Sequence, residues 1–167
     1  RVSNQSLEAV VAEICARSRM EVLDASKLFG VVRGYLQSET GTARSVLQPL
    51  MFAYGFDALE RDGVLRFAMR GGRAVSTLDR DRLALASDFD GTFETTRTPE
   101  VEIAGRVRLG FVEAEGNYEI RQAEAIFPDE VSFGVSHSEM PLVLTTAEAQ
   151  ATVERWLSEA RVARDTA

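Results

Sequence analysis

The sequence is poor in the residues that most often build reactive sites. It holds one cysteine and one histidine among 167 residues, and its 19 basic residues include a single lysine, Lys27. The lone Cys15 excludes an internal disulfide and cannot alone hold zinc or an iron–sulfur cluster. It falls on the apolar side of the first predicted helix, where a free cysteine is a small core residue. No run approaches the roughly 18 apolar residues of a membrane-spanning helix, and no signal-peptide pattern opens the chain. A basic stripe is also missing. The arginines are interleaved with acids, as in ARSR, RDRL and EARVARD, and the formal net charge is −7. That balance argues against specific nucleic-acid binding. The chain opens at Arg1 without a methionine, inside the lead-in to a helix, which reads as a piece of a longer polypeptide.

What is present is scaffold. At 167 residues the chain can bury roughly 70% of its unfolded surface, enough for one medium domain or two small ones. A first helix is predicted over 4–17, with Leu7, Val10, Val11, Ile14 and Cys15 inward. Residues 24–28, DASKL, suggest one helical turn. Residues 31–37 read as a short strand containing Gly34, where another backbone comes close. Thr40 or Thr42 then caps a helix whose stripe is Ala43, Val46, Leu47, Leu50, Met51 and Tyr54. Pro49 should bend that helix, and Gly55 should stop it. Residues 56–60 and 64–70 flank Asp62-Gly63, a favoured hairpin turn, with Leu65, Phe67 and Met69 on one strand face.

Gly71-Gly72 is the clearest punctuation, so a first α+β unit is expected over 1–72 and an irregular junction over 73–99. Residues 100–167 then form a mainly antiparallel β unit with a C-terminal helix. Its hairpin pairs 101–112 with 118–127 around Glu115-Gly116-Asn117, Val107, Leu109 and Phe111 alternating with Arg106, Arg108 and Gly110. Val131, Phe133 and Val135 alternate likewise, and 141–144 suits an edge strand because proline is tolerated at a strand start. Thr145-x-x-Glu148 is a capping box for a last helix with Ala149, Val153, Trp156, Leu157 and Ala160 inward, and Trp156 is a core anchor.

The run GY…TARSVLQPLMFAYGFDALERDGVLRF resembles a segment of the baseplate hub proteins of tailed phages and gene transfer agents. The resemblance extends through VRLGFVEAEGNYEIRQAEA (107–125) and TTAEAQATVERWLSEARVARDTA (145–167). It implies a fold of class α+β with a partial β-barrel-like hub domain, cut short after the final helix. It further implies a structural module and is silent about any reaction; that the chain is not an enzyme is expected from the failure of the catalytic candidates below. Its partners would be other copies of the hub, three around the tail channel, and neighbouring tail proteins. Its location would be the virion, after synthesis in the bacterial cytoplasm. The resemblance brings no catalytic, cofactor-binding or metal-ligating residue with it.

Each candidate for chemistry fails on its missing partners. Asp88-Phe89-Asp90-Gly91-Thr92 looks like the aspartate loop of haloacid dehalogenase-type phosphatases, in which a carboxylate attacks phosphorus while magnesium and a cation neutralise the oxygens. No lysine follows Lys27 and no downstream GDxxxD pair occurs, so magnesium-dependent phosphatase activity stays only as an alternative. Counted as a calcium loop, its glycine falls two positions early and its twelfth ligand would be Pro99. Ser136-His137-Ser138 invites a serine–histidine reading but lacks the elbow glycines and a third group. Neither Gly71-Gly72 nor GRVRLG (105–110) has the order that cradles phosphate. Asn4-Gln5-Ser6 is a glycosylation acceptor only in a secretory context. The remaining alternative is an interaction module that binds a peptide by strand addition.

Overall fold

A computed structural model describes residues 4–38, 40–71, 77, 79, 82, 96–98, 104–128, 134–163 and 165–166. The expectations for Asp88-Phe89-Asp90-Gly91-Thr92, Pro99, Val131 and Phe133 lie outside them. The elements run β1 (Gln5–Ser6), α1 (Leu7–Arg17), β2 (Leu23–Lys27), β3 (Val31–Val32), α2 (Ala43–Tyr54), β4 (Phe56–Arg61), β5 (Val64–Met69). They continue with β6 (Thr96–Arg97), β7 (Arg106–Glu113), β8 (Ile120–Ile126), β9 (Val135–Leu144), α3 (Thr146–Val162) and β10 (Asp165–Thr166). The fold is α+β, as expected.

Two three-stranded sheets carry the architecture, ordered β2-β5-β4 and β8-β7-β9. In each, a hairpin supplies two antiparallel strands, and a third strand runs parallel to the hairpin's central strand. The first hairpin turns on Asp62 and Gly63 at φ 56° and 74°, the positive values that the Asp-Gly pair tolerates. Two short antiparallel pairs, β1 with β3 and β6 with β10, complete the strands among the described residues.

The three helices among the described residues start on hydroxyl caps. Ser6, Thr42 and Thr145 accept from the backbone N–H of Ala9, Ser45 and Glu148, and Thr145 and Glu148 complete the capping box. Helix α2 continues through Pro49 to Gly55, which adopts φ 68° and donates its N–H to the Met51 carbonyl. Buried apolar side chains from α1, α2, β4 and β5 belong to one core cluster with those of β7, β8, β9 and α3. Phe56, Phe67 and Phe111 are its largest fully buried members. Trp156 packs edge-on against Phe52, ring centroids 4.4 Å apart, which anchors α3 to α2.

Four local expectations are corrected. Helix α1 starts at Leu7, because Gln5 and Ser6 pair with Val32 and Val31 and the Ser6 hydroxyl is the cap. Residues 24–28 are not helical, although the Leu28 N–H closes a single turn on the Ala25 carbonyl at 3.0 Å. Residues 23–27 are strand β2, paired in parallel with β5, and Asp24 accepts from the Ser26 N–H and hydroxyl at a register shift. The strand expected over 31–37 is only Val31–Val32, followed by an isolated bridge from Tyr35 to Leu142. There Gly34 does meet another backbone: its carbonyl accepts from Val143 at 2.9 Å, and a Cβ would lie 2.7 Å from the Val143 side chain. Finally, β9 starts at Val135 and runs through Pro141. Three residues of β9, Met140 to Leu142, answer one of β7, Phe111, so the proline sits in a bulge on an edge strand, where its missing donor costs little.

Candidate functional site

The residues singled out for chemistry are dispersed. Cys15 is fully buried, and desolvation pushes its thiol above its ordinary value, the reverse of what a nucleophile needs. His137 is exposed on β9, 3.8 Å from Glu139, while Ser136 and Ser138 alternate to the opposite face of the strand. Of residues 105–110, Gly105 is a bend and 106–110 form the start of β7, and Gly71 follows β5 at φ 85°. Ser6 of the Asn4-Gln5-Ser6 triplet is engaged as a helix cap. Among the described residues no three His, Cys, Asp or Glu side chains converge as metal ligands would.

Polar contacts instead join the two halves of the chain. Arg70, at the end of the first hairpin, donates through Nε and Nη2 to both carboxylate oxygens of Asp57 at 2.9 Å, and through Nη1 to Glu159 of α3 at 2.9 Å. The Asp57 hydrogen bonds are the main reason its guanidinium is held above its ordinary value. Arg155 of α3 donates through Nη2 to the carbonyls of Phe52 and Ala53 at 2.9 and 2.7 Å, satisfying the C-terminal end of α2. Burial lowers its pKa, yet an arginine stays charged. Gly55 makes room for this contact, since a Cβ there would lie 3.0 Å from Arg155 Nε. A second link is the two-point pairing of Arg33 with Glu148 at 3.3 and 3.2 Å.

A groove of about 440 Å³ lies between α1 and residues 32–37, lined by Val10, Glu13, Arg17, Val32 and Tyr35 among others. Its ionic side chains are already matched: Arg17 to Glu13 at 2.8 Å and Arg33 to Glu148. A neighbouring hollow of about 500 Å³ shares Arg33 and Gly34 and reaches Tyr118.

The β8-β7-β9 sheet has two unlike faces. Val107, Leu109 and Phe111 of β7, with Ala123 and Ala125 of β8, are buried beneath α3. Arg106, Arg108 and Gly110 alternate to the outer face. Registered across that face, Arg106 lies between Ile126 and Val135, Arg108 between Glu124 and His137, and Gly110 between Gln122 and Glu139. Both arginines converge on Glu124, Arg108 Nε at 2.7 Å and Arg106 Nη1 at 3.4 Å, while Arg106 Nε is buried with no hydrogen-bond partner among the described residues. Beyond the other end of β7 the turn exposes Glu115, Tyr118 and Glu119 before Ile120. The alternation of arginine with apolar residues was visible in the sequence. That the arginine face would be the open one depended on where α3 packs.

The distinguishing chemistry of the described residues therefore lies in surfaces and in contacts that hold elements together, as in a structural module. A family model described as "Putative phage tail protein" matches residues 42–167, and the chain belongs to that family. It is also similar to a chain of the virion of a native gene transfer agent particle, at 52% sequence identity and a TM-score of 0.89. The match covers 97% of this chain and 37% of that one, so the chain spans little more than a third of its relative's length. No curated protein sequence matches it. No helix among the described residues is long and apolar enough to cross a membrane.

Proposed function

We propose that this chain is a structural module of a phage-like tail, part of a baseplate hub whose copies surround the tail channel as a ring of three. The observation that carries the proposal is the match to the virion chain, 52% identical over 97% of this sequence. At that identity the same core and the same surfaces can serve the same assembly. The polar links from α3 to α2 and to the first hairpin suit that role, because they hold the two halves in one arrangement on which a ring contact can be built. The module works without catalysis and without a cofactor, and its partners are other copies of the hub and neighbouring tail proteins. Its first unit ends near residue 72 and its second begins near 100, with the polypeptide between them as a junction.

The test is the composition of tail particles. Purified particles should contain the protein at three copies each, located at the tail tip by imaging, and deletion of its gene should leave no complete tails. Normal particles assembled without the protein would overturn the proposal.

A further inference from the structure

We infer that the hollow enclosed by the β7–β8 turn, the β9–α3 junction and residues 33–34 binds a neutral saccharide, with the Tyr118 ring as the platform on which a sugar ring rests. The site is independent of the hub reading, and it gives the module a ligand.

The hollow, about 500 Å³, has the size of a small-molecule site, and Tyr118 lines it in a strained conformation. Tyr118 adopts φ 57°, a left-handed value that a bulky side chain rarely takes, and it is 68% exposed rather than packed. Asparagine tolerates that conformation better, yet Asn117 sits one position early. Strain that wins no burial for the ring points to a contact residue. The turn that carries it is firmly based. Ala114 donates its N–H to the Leu144 carbonyl, and Glu113 donates to the Glu119 carbonyl, both at 2.9 Å. The buried Glu113 carboxylate is met by Arg121 Nε at 2.6 Å and by the Thr146 hydroxyl at 3.1 Å. Gly116 packs so closely on it that a Cβ would lie 2.9 Å from Glu113 Oε2. These contacts fix the turn against the start of α3, so the hollow is formed in advance of any ligand.

The lining selects against charge of either sign. Arg33 has its Nε and Nη2 taken by Glu148, which leaves Nη1 as a donor toward the hollow. The Arg33 guanidinium is held above its ordinary value chiefly by those hydrogen bonds and more weakly by the charge of Glu115, which lines the same hollow. An anionic ligand would meet Glu115, and a cationic one would have to sit against the Arg33 guanidinium. A neutral ligand with many hydroxyls meets neither obstacle. Its hydroxyls can donate to Glu115 and accept from Arg33 Nη1, with the Thr145 hydroxyl and the Asn4 amide on the same lining. The C–H face of a sugar ring also suits the electron-rich face of an exposed tyrosine.

The test is saturation-transfer nuclear magnetic resonance on the purified protein with maltose, lactose and di-N-acetylchitobiose, followed by titration of the amide resonances. At least one sugar should bind saturably, with a Kd of about 1 mM or tighter, and shift the amides of Gly34, Ala114 and Tyr118. Binding should be equal at low and high salt, as for an uncharged ligand. Tyr118→Ala should weaken it by about tenfold or more, and Glu115→Gln severalfold, both with unchanged circular dichroism. Tyr118→Gly separates a binding role from a structural one. Glycine relieves the left-handed strain, so this variant should unfold at no lower a temperature than wild type while losing the sugar. Absence of saturable binding by all three sugars would overturn the assignment, as would shifts confined to other surfaces or a loss of stability in Tyr118→Gly. Binding of trilysine in preference to every sugar, lost at high salt, would overturn it as well and make the hollow a cation site.

Discussion

The two three-stranded sheets share a plan and differ in how the chain completes it. In β2-β5-β4 the parallel third strand precedes the hairpin in sequence, has five residues and is irregular between Asp24 and Lys27. In β8-β7-β9 it follows the hairpin, has ten residues, is irregular in turn between Glu139 and Val143, and feeds directly through Thr145 into α3. The first hairpin closes on two residues, whereas the second crosses a six-residue turn between Glu113 and Ile120. A tight Asp-Gly turn leaves little to recognise, while the longer turn exposes an aromatic and two acids. The first sheet is thus the more locally determined, and the second offers more surface to a partner.

The sharpest way to break this comparison is to hollow each region in turn. Phe67→Ala and Phe111→Ala each remove a fully buried ring, and each should cost about 3–5 kcal/mol. Because both rings belong to one core cluster, denaturation followed by Trp156 fluorescence and by far-ultraviolet circular dichroism should give coincident transitions in both variants. Separate transitions would mean that the sheets unfold independently and that the shared core is not cooperative.

Next in size is the link between the regions. Arg155→Met leaves the Phe52 and Ala53 carbonyls without their guanidinium, a loss of about 1.5–3 kcal/mol for charged hydrogen bonds. Gly55→Ala should cost about 1–2 kcal/mol for a left-handed residue with a Cβ, and more while Arg155 stands 3.0 Å from that Cβ. Combining the two should therefore cost less than their sum. Strict additivity would show that glycine is there for the turn alone.

What the sequence revealed follows a physical line. Elements whose stabilising partner lies within a few residues were legible. The Asp62-Gly63 hairpin, the Thr145/Glu148 box and the α2 stripe ending at Gly55 all carry their cause locally. Parallel strands were not legible, because Leu23 finds Leu65 and Arg106 finds Val135 across long connections that leave no local mark. At 24–28 the local signal misled, since an Asx turn at Asp24 resembles the start of a helix. The arginine row on β7 could be read as an alternation, but its openness could not, because only the docking of α3 decides which face stays wet.

A smaller effect compares the caps of the helices that enter each region. Thr42→Ala removes a single hydroxyl acceptor and should cost about 1 kcal/mol. Thr145→Ala removes the same bond and also leaves Glu148 without one side of its box, so it should approach about 2 kcal/mol. Equal losses in thermal unfolding would show that the box adds nothing to the cap.

The smallest effect is in the acid range and concerns Glu148, which serves both the α3 cap and the Arg33 link. Burial alone would raise its carboxyl, but hydrogen bonds from Arg33 and from the Thr145 backbone outweigh it and hold the group below its ordinary 4.5. The sign follows from which state binds the proton first. As pH falls the unfolded chain protonates Glu148 near 4.5, while the folded chain resists, so the free energy shifts toward the unfolded state. The contribution is fully present above the unfolded value and disappears as pH drops through the folded one. Glu148→Gln should therefore be less stable than wild type by a constant amount above that value, with the gap narrowing on further acidification. Carboxyl resonances followed by nuclear magnetic resonance should place the Glu148 midpoint below 4.5. A midpoint at or above it would mean that desolvation prevails and that the Arg33 pairing is too loose to hold the segment after β3 to α3.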